Sequence, residues 1–193
     1  MHIDIPSTQH SHDSNRHACN LRRKWSPGPL DWFSFNVDAS MLKNSHRAGL
    51  AIIVRDCTGK YVAAKSLVIS ARDIDQAEAL AVLEGLQWAQ QMQCGKLILQ
   101  TDNQGNAVAV RNYNKHSRRE DVNLINQIKK LISSHPRWIV TYVNRVCNGP
   151  ADKLAKYVRK SGVTKGWYNN NPHNVIRRQL LLDSSQVLYF TFI

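Results

Sequence analysis

A single α/β domain, built on a mixed five-stranded sheet with helices packed on both faces, is the fold this sequence predicts. Three observations predict it. Residues 31–70 hold three successive apolar segments of strand character, the last two joined by a short turn containing Gly59. A helical run follows, with Ala79, Val82, Leu83, Leu86 and Ala89 recurring on one face. From there to residue 160 short apolar strands alternate with amphipathic helices, the order that covers a sheet with helices.

The first strand spans 31–38, where Phe33, Phe35 and Val37 alternate with Ser34, Asn36 and Asp38. A period of two sends the two sets to opposite faces of a sheet. LAIIVRD at 50–56 is a second strand, Cys57-Thr58-Gly59 its turn, and YVAAKSLVIS at 61–70 a third. Together they predict an antiparallel meander. The helix that follows has two capping boxes in competition. Asp75 with Glu78 starts it late and occupies the Glu78 carboxylate; Asp73 with Gln76 starts it two residues earlier and leaves Glu78 free in the second turn. The helix should end near Gly95. A strand at 96–101, a helix at 104–111, a basic loop at 112–121 and a helix at 122–132 come next. WIVTYV at 138–143 is the fifth strand, and Pro150 opens a last helix to Lys160, since proline suits a first helical turn.

The chain has 193 residues, room for one ordinary domain with tails. Residues 1–30 are expected to be a polar, disordered leader, 31–161 the domain, and 162–193 a C-terminal extension with an apolar end of undecided role. The net charge is +12, and residues 31–161 hold 19 basic and 11 acidic side chains, so most of the excess belongs to the domain. That balance favours a polyanionic partner, most simply nucleic acid, over a detachable basic tail. The four cysteines form no CxxC pair and read as free thiols, neither a zinc site nor a disulfide framework. No apolar run approaches the ~20 residues of a membrane span, and no secretory signal is visible. A soluble, intracellular protein without membrane or zinc partners is expected, monomeric, with nucleus and cytoplasm undistinguished.

Against this basic background four acids stand at the mouths of core elements: Asp38, Glu78, Asp102 and Asp152. Each has an ordinary explanation. Asp38 can begin a turn, Asp102 can cap the helix after it, Asp152 can face a helix dipole, and Glu78 can close a capping box. Brought together, they would repel one another and need a cation. Hard oxygen ligands suit magnesium, with manganese as the alternative, and two such ions can clamp a phosphodiester.

The same residues carry a resemblance. NVDAS at 36–40, AEALA at 77–81, LQTDNQ at 99–104 and Asn148-x-x-x-Asp152 fall in the order of the type 1 ribonuclease H family. They most resemble its plant branch, which is related to the reverse transcriptases of retroelements. The resemblance covers Trp25 to Lys160. No single motif is specific; four in order are. It implies a ribonuclease H-like fold and hydrolysis of the RNA strand of RNA–DNA hybrids by two magnesium ions. It implies that Asp38 bridges both ions, Glu78 and Asp102 complete one site, and Asp152 the other. Asn44 and Gln104 match positions that touch the substrate, and Asn148 the asparagine of the last motif. Hybrid selectivity would then come from 2′-hydroxyl contacts and duplex shape.

The chain departs from the family in three places. Tyr142 stands where many members have a loop histidine, Ala39 replaces the usual glycine, and the basic helical handle of some members is missing. Lys115, Arg118 and Arg119 either replace that handle in part or belong to a merely solvated loop. The missing histidine and the missing handle favour a rival reading, a nucleic-acid-binding module of the same fold with weak or no turnover. A resolvase or transposase of the same superfamily is a further rival, opposed by the complete acid set.

Overall fold

The computed structural model describes residues 24–111, 119–168 and 171–184. Its sheet has six strands: β1 Phe33–Met41, β2 Arg47–Arg55, β3 Tyr61–Ser70, β4 Leu97–Thr101, β5 Trp138–Tyr142 and β6 Lys165–Trp167. Their order is β5-β4-β1-β2-β3-β6. β1, β2 and β3 form the expected antiparallel meander, while β4 and β5 run parallel to β1. The sixth strand corrects the expected count of five. It has three residues, too few for a periodic pattern, and pairs with Ala64–Ser66 of β3.

β1 also runs three residues beyond the expected end, so Asp38 sits inside the strand, opposite Ala51 of β2. β1 is covered on both sides, as a sheet with helices on both faces requires: Ser34, Asn36 and Asp38 are as inaccessible as Phe35 and Val37. A polar residue in such a strand must find a partner inside the protein.

Five helices flank the sheet: α1 Ile74–Gln91, α2 Gln104–Arg111, α3 Val122–Ser133, α4 Gly149–Ser161 and α5 Asn174–Ser184. On one face, Phe35, Val37, Leu50, Ile52 and Leu99 pack against Val82 and Leu86 of α1 and Ile128 of α3. On the other, Ala51 and Ile53 meet Leu154 and Val158 of α4 and Ile176 and Leu180 of α5. Each fully buried side chain of this size contributes ~1.5–3 kcal/mol of transfer free energy. The described part of the C-terminal extension is therefore built into the sheet and the second core.

The competition between capping boxes is resolved in favour of Asp73, whose side chain accepts from the Gln76 N–H at 2.9 Å. α1 ends four residues short of Gly95, and Gln93, with φ of 54°, takes the left-handed position after it. α4 closes on Gly162 with φ of 75°. Among the described residues no helix is long and apolar enough to cross a membrane. Residues 1–23 of the leader, with Lys115 and Arg118, lie outside the described residues.

Candidate active site

Parallel pairing of β1 with β4 aligns Val37 with Thr101. One residue further on, Asp38 and Asp102 are therefore neighbours across strands spaced by about 4.8 Å. The third acid arrives from α1. A Cβ at Gly85 would stand 2.8 Å from Leu99 Cδ1 and 2.9 Å from Val37 Cγ1, so only glycine lets this helix lie so low on β1 and β4. Glu78 is two turns earlier on the same helical face and is brought down over the same strands. As a result one carboxylate oxygen each from Asp38, Glu78 and Asp102 lies within 4.8 Å of the other two.

The cluster is buried as well as crowded. Asp38 is 2% and Glu78 8% exposed. Burial, then the charges of Glu78 and Asp102, push the Asp38 carboxyl up to about 10. Burial and Asp102 push Glu78 up to about 8, although the Ala39 N–H and Arg145 favour its ionised form. Glu78 Oε2 is buried and has no hydrogen-bond partner. Hard oxygen donors, mutual repulsion and an orphaned buried oxygen fit a divalent cation of the magnesium class.

Asp152 stands apart from the other three. It begins the second face of the site from the first turn of α4, but two cations hold it: Arg145 Nη2 at 3.0 Å and Lys156 Nζ at 2.7 Å. Burial alone would raise its carboxyl, and the bonds from Lys156 and Arg145 outweigh that and lower it. Arg145 also reaches Asp102, Nε to Oδ2 at 3.8 Å, so its guanidinium lies between the two acids. Asp38 still feels the charge of Asp152. Of the four expected acids, three form the tight group, and Asp152 is outside it, paired with Arg145 and Lys156.

Asn44 and Gln104, expected at the substrate, are both exposed. Asn44 has φ of 63° in the turn between β1 and β2, and Gln104 opens α2 two residues after Asp102. Asn148 is different. It is completely buried, so it is no surface contact. Its Nδ2 donates to the Val37 carbonyl at 2.9 Å and to Asp102 Oδ1 at 3.4 Å, and its Oδ1 accepts from Asn36 at 3.2 Å. Asn148 precedes α4 directly, so this one amide ties together the elements that carry Asp38, Asp102 and Asp152.

Sequence reasoning missed Arg145 and the polar pair beneath the acids, Asn36 and Gln100, joined at 2.9 Å. The signal for the pair was there. Each lies two residues before a site aspartate on its strand, hence on the same face.

A mixed sheet with carboxylates on adjacent central strands and a glutamate from the first helix defines a ribonuclease H-like α/β domain. The model of the reverse transcriptase-like family matches residues 36–158, and the chain belongs to that family. No curated protein matches the chain. Among solved structures, ribonuclease H1 of Halobacterium salinarum is similar at 20% identity and a TM-score of 0.62, over 68% of this chain and 99% of its own. The N-terminal ribonuclease H domain of a Mycobacterium tuberculosis protein follows at 20% and 0.61, over 67% and 94%. LC11 ribonuclease H1, from compost, in complex with an RNA/DNA hybrid is similar at 16% and 0.61, over 67% and 98%. These likenesses are of fold, and they match the expectation drawn from the four motifs.

Proposed function

We propose that this protein is a divalent-metal-dependent endonuclease that hydrolyses the RNA strand of RNA–DNA hybrids. The observation that carries the proposal is the buried Asp38–Glu78–Asp102 cluster with its orphaned Glu78 oxygen. Asp38, Glu78 and Asp102 would hold one magnesium or manganese ion, and Asp38 with Asp152 a second. Bound ions supply an activated water and charge stabilisation for the leaving 3′ oxygen. The chain's residues do the rest. Asp38 and Glu78, whose carboxyls burial and crowding raise in the empty site, would lose their protons to solvent on holding an ion. For Asp152 to hold one, Arg145 would have to give it up, which would free its guanidinium for a phosphate. Asn44 and Gln104, both exposed, would meet the 2′-hydroxyls that mark RNA. The domain's positive excess holds the duplex by its phosphates.

A second reading, a binding module without useful turnover, is favoured by Tyr142 at the histidine position and by Asp152 engaged with two cations. The experiment that separates them uses a hybrid with a labelled RNA strand. Wild type should cleave it with magnesium and not with EDTA, leave single-stranded RNA and duplex DNA intact, and lose cleavage but not binding on Asp102→Asn. Folded wild type that binds hybrid but cleaves no more than Asp102→Asn is the binding module.

A further inference from the structure

Arg55 ends β2 with its side chain fully buried, on the face of the sheet opposite α1. Two arms of its guanidinium are engaged. Nη1 donates to Asp183 Oδ2 of α5 at 2.7 Å, across 128 residues of sequence. Nη2 donates to Asn36 Oδ1 at 2.6 Å. Its face lies 3.2 Å from the centroid of the Trp25 ring, while Nε is buried without a partner. A buried ion pair with an unsatisfied donor is weak as a device for stability, because well-packed apolar side chains do as well or better. Its other contacts suggest a different use.

From Asn36 the bonds continue without a break. Asn36 Nδ2 donates to Asn148 Oδ1 at 3.2 Å, and Asn148 Nδ2 donates to Asp102 Oδ1 at 3.4 Å and to the carbonyl before Asp38 at 2.9 Å. Asn36 also donates to Gln100 Oε1 at 2.9 Å, which accepts from Trp25 Nε1 at 2.8 Å. Amide groups in such a chain have a direction. Arg55 can only donate, so it fixes the Asn36 oxygen toward itself and the Asn36 nitrogen toward Asn148. That in turn fixes the Asn148 nitrogen toward Asp102.

We infer that Arg55, clamped by Asp183 of the C-terminal helix, is a positioning residue for the metal site, setting through Asn36 and Asn148 the orientation of the Asp102 carboxylate. The C-terminal helix is thereby a latch. When α5 is docked, Asp183 neutralises Arg55 and the amide chain points one way. When it is not, Arg55 is a buried charge without its counter-ion and the amides lose their common direction. Outer partners of this kind orient ligands and tune affinity for the bound ion. The inference rests on the three acids forming a cation site and is independent of whether hybrid is cleaved.

The test reads the site without turnover. Manganese binding is measured by calorimetry on wild type, Asp183→Ala, Asn36→Ser and, as a control on the outer side of the same helix, Leu181→Ser, where Leu181 is 70% exposed. In parallel, the Asn148 side-chain amide is followed by ¹⁵N NMR. Asp183→Ala and Asn36→Ser should each weaken manganese binding about tenfold and move the Asn148 amide resonances, whereas Leu181→Ser should change neither. If Asp183→Ala does not fold, Asp183→Asn, which keeps an acceptor oxygen and removes only the charge, should show the same two changes in smaller measure. Folded variants with wild-type manganese affinity and unmoved Asn148 resonances overturn the inference. Wild type that binds manganese but cleaves no hybrid overturns the proposed activity and leaves the latch standing.

Discussion

Replacing Asp38 with Asn should stabilise the metal-free protein and abolish its metal binding. Burial and the charges of Glu78 and Asp102 raise this carboxyl from 3.8 to about 10. In the unfolded chain it ionises above about pH 4, whereas the folded protein keeps its proton until about pH 10. Between those limits the folded state binds the extra proton, so stability falls as pH rises. At pH 7 the gap is about 3 pK units, and at ~1.4 kcal/mol per unit the cost is about 4 kcal/mol. Glu78, itself raised to about 8, shares the repulsion, which leaves ~2–4 kcal/mol to be relieved by a neutral amide. For a chain of this length that is about 5–10 °C in Tm. The assay is thermal unfolding in EDTA at pH 5, 7 and 9, with manganese calorimetry alongside. The variant's advantage should grow with pH, and added metal should stabilise wild type alone. A variant no more stable than wild type at pH 7, or an advantage that does not widen toward pH 9, would refute the reasoning.

Three further outcomes follow from the same geometry. Arg145→Ala removes one of the two cations on Asp152, so the Asp152 carboxyl, followed by carbon NMR, should titrate at higher pH than in wild type; an unchanged midpoint would show that Lys156 alone holds it down. Gly85→Ala drives a methyl into Leu99 and Val37 and should cost ~1–3 kcal/mol as overpacking. It should also weaken manganese binding, because it lifts the helix that carries Glu78; a variant that binds normally would disconnect Gly85 from the site. Hybrid affinity should fall steeply from 50 to 200 mM salt, because the counterions that binding releases gain less entropy in a saltier solution, and an affinity indifferent to salt would remove nucleic acid as the partner of the basic surface.

Most of the fold was legible because most of it is periodic. β3 and α2 fall where the patterns of two and 3.6 place them, and the choice between two caps for α1 could be framed from sequence even though packing made it. What could not be read was anything set by contacts distant in sequence. The alternation puts Ser34, Asn36 and Asp38 on one face of β1, but the network that Asn36 joins forms only where α4 buries that face. β6 and the docking of α5 were hidden for the same reason: three residues make no pattern, and Asp183 finds its partner 128 residues away. Of the site, the three clustered acids were legible as motifs. The separation of Asp152 was not, since Arg145 carries no periodic signal and only the folded loop brings it between two carboxylates.

The electrostatics of the molecule set a condition on how the proposed chemistry can work. Its surface is positive enough to gather a duplex, but the point at which a phosphodiester must react is a pit of carboxylates that repels phosphate. Protonation of Asp38 and Glu78 mutes that repulsion in the empty site without making it attractive. Arg145, exposed and lying between Asp102 and Asp152, is the one described cation at its mouth within 4 Å of two site acids. A divalent ion reverses the sign of the pit, and a phosphate placed over it returns the favour by adding oxygen ligands. By linkage, each must then raise the affinity for the other by the same factor. Metal and hybrid should therefore bind cooperatively to wild type, and manganese affinity measured with hybrid present should exceed that measured without it. In Asp102→Asn, where a ligand is lost but the basic surface is kept, hybrid should still bind while the cooperativity disappears. Equal manganese affinities with and without hybrid in wild type would mean that the duplex sits elsewhere on the basic surface and never presents a phosphate to the acids.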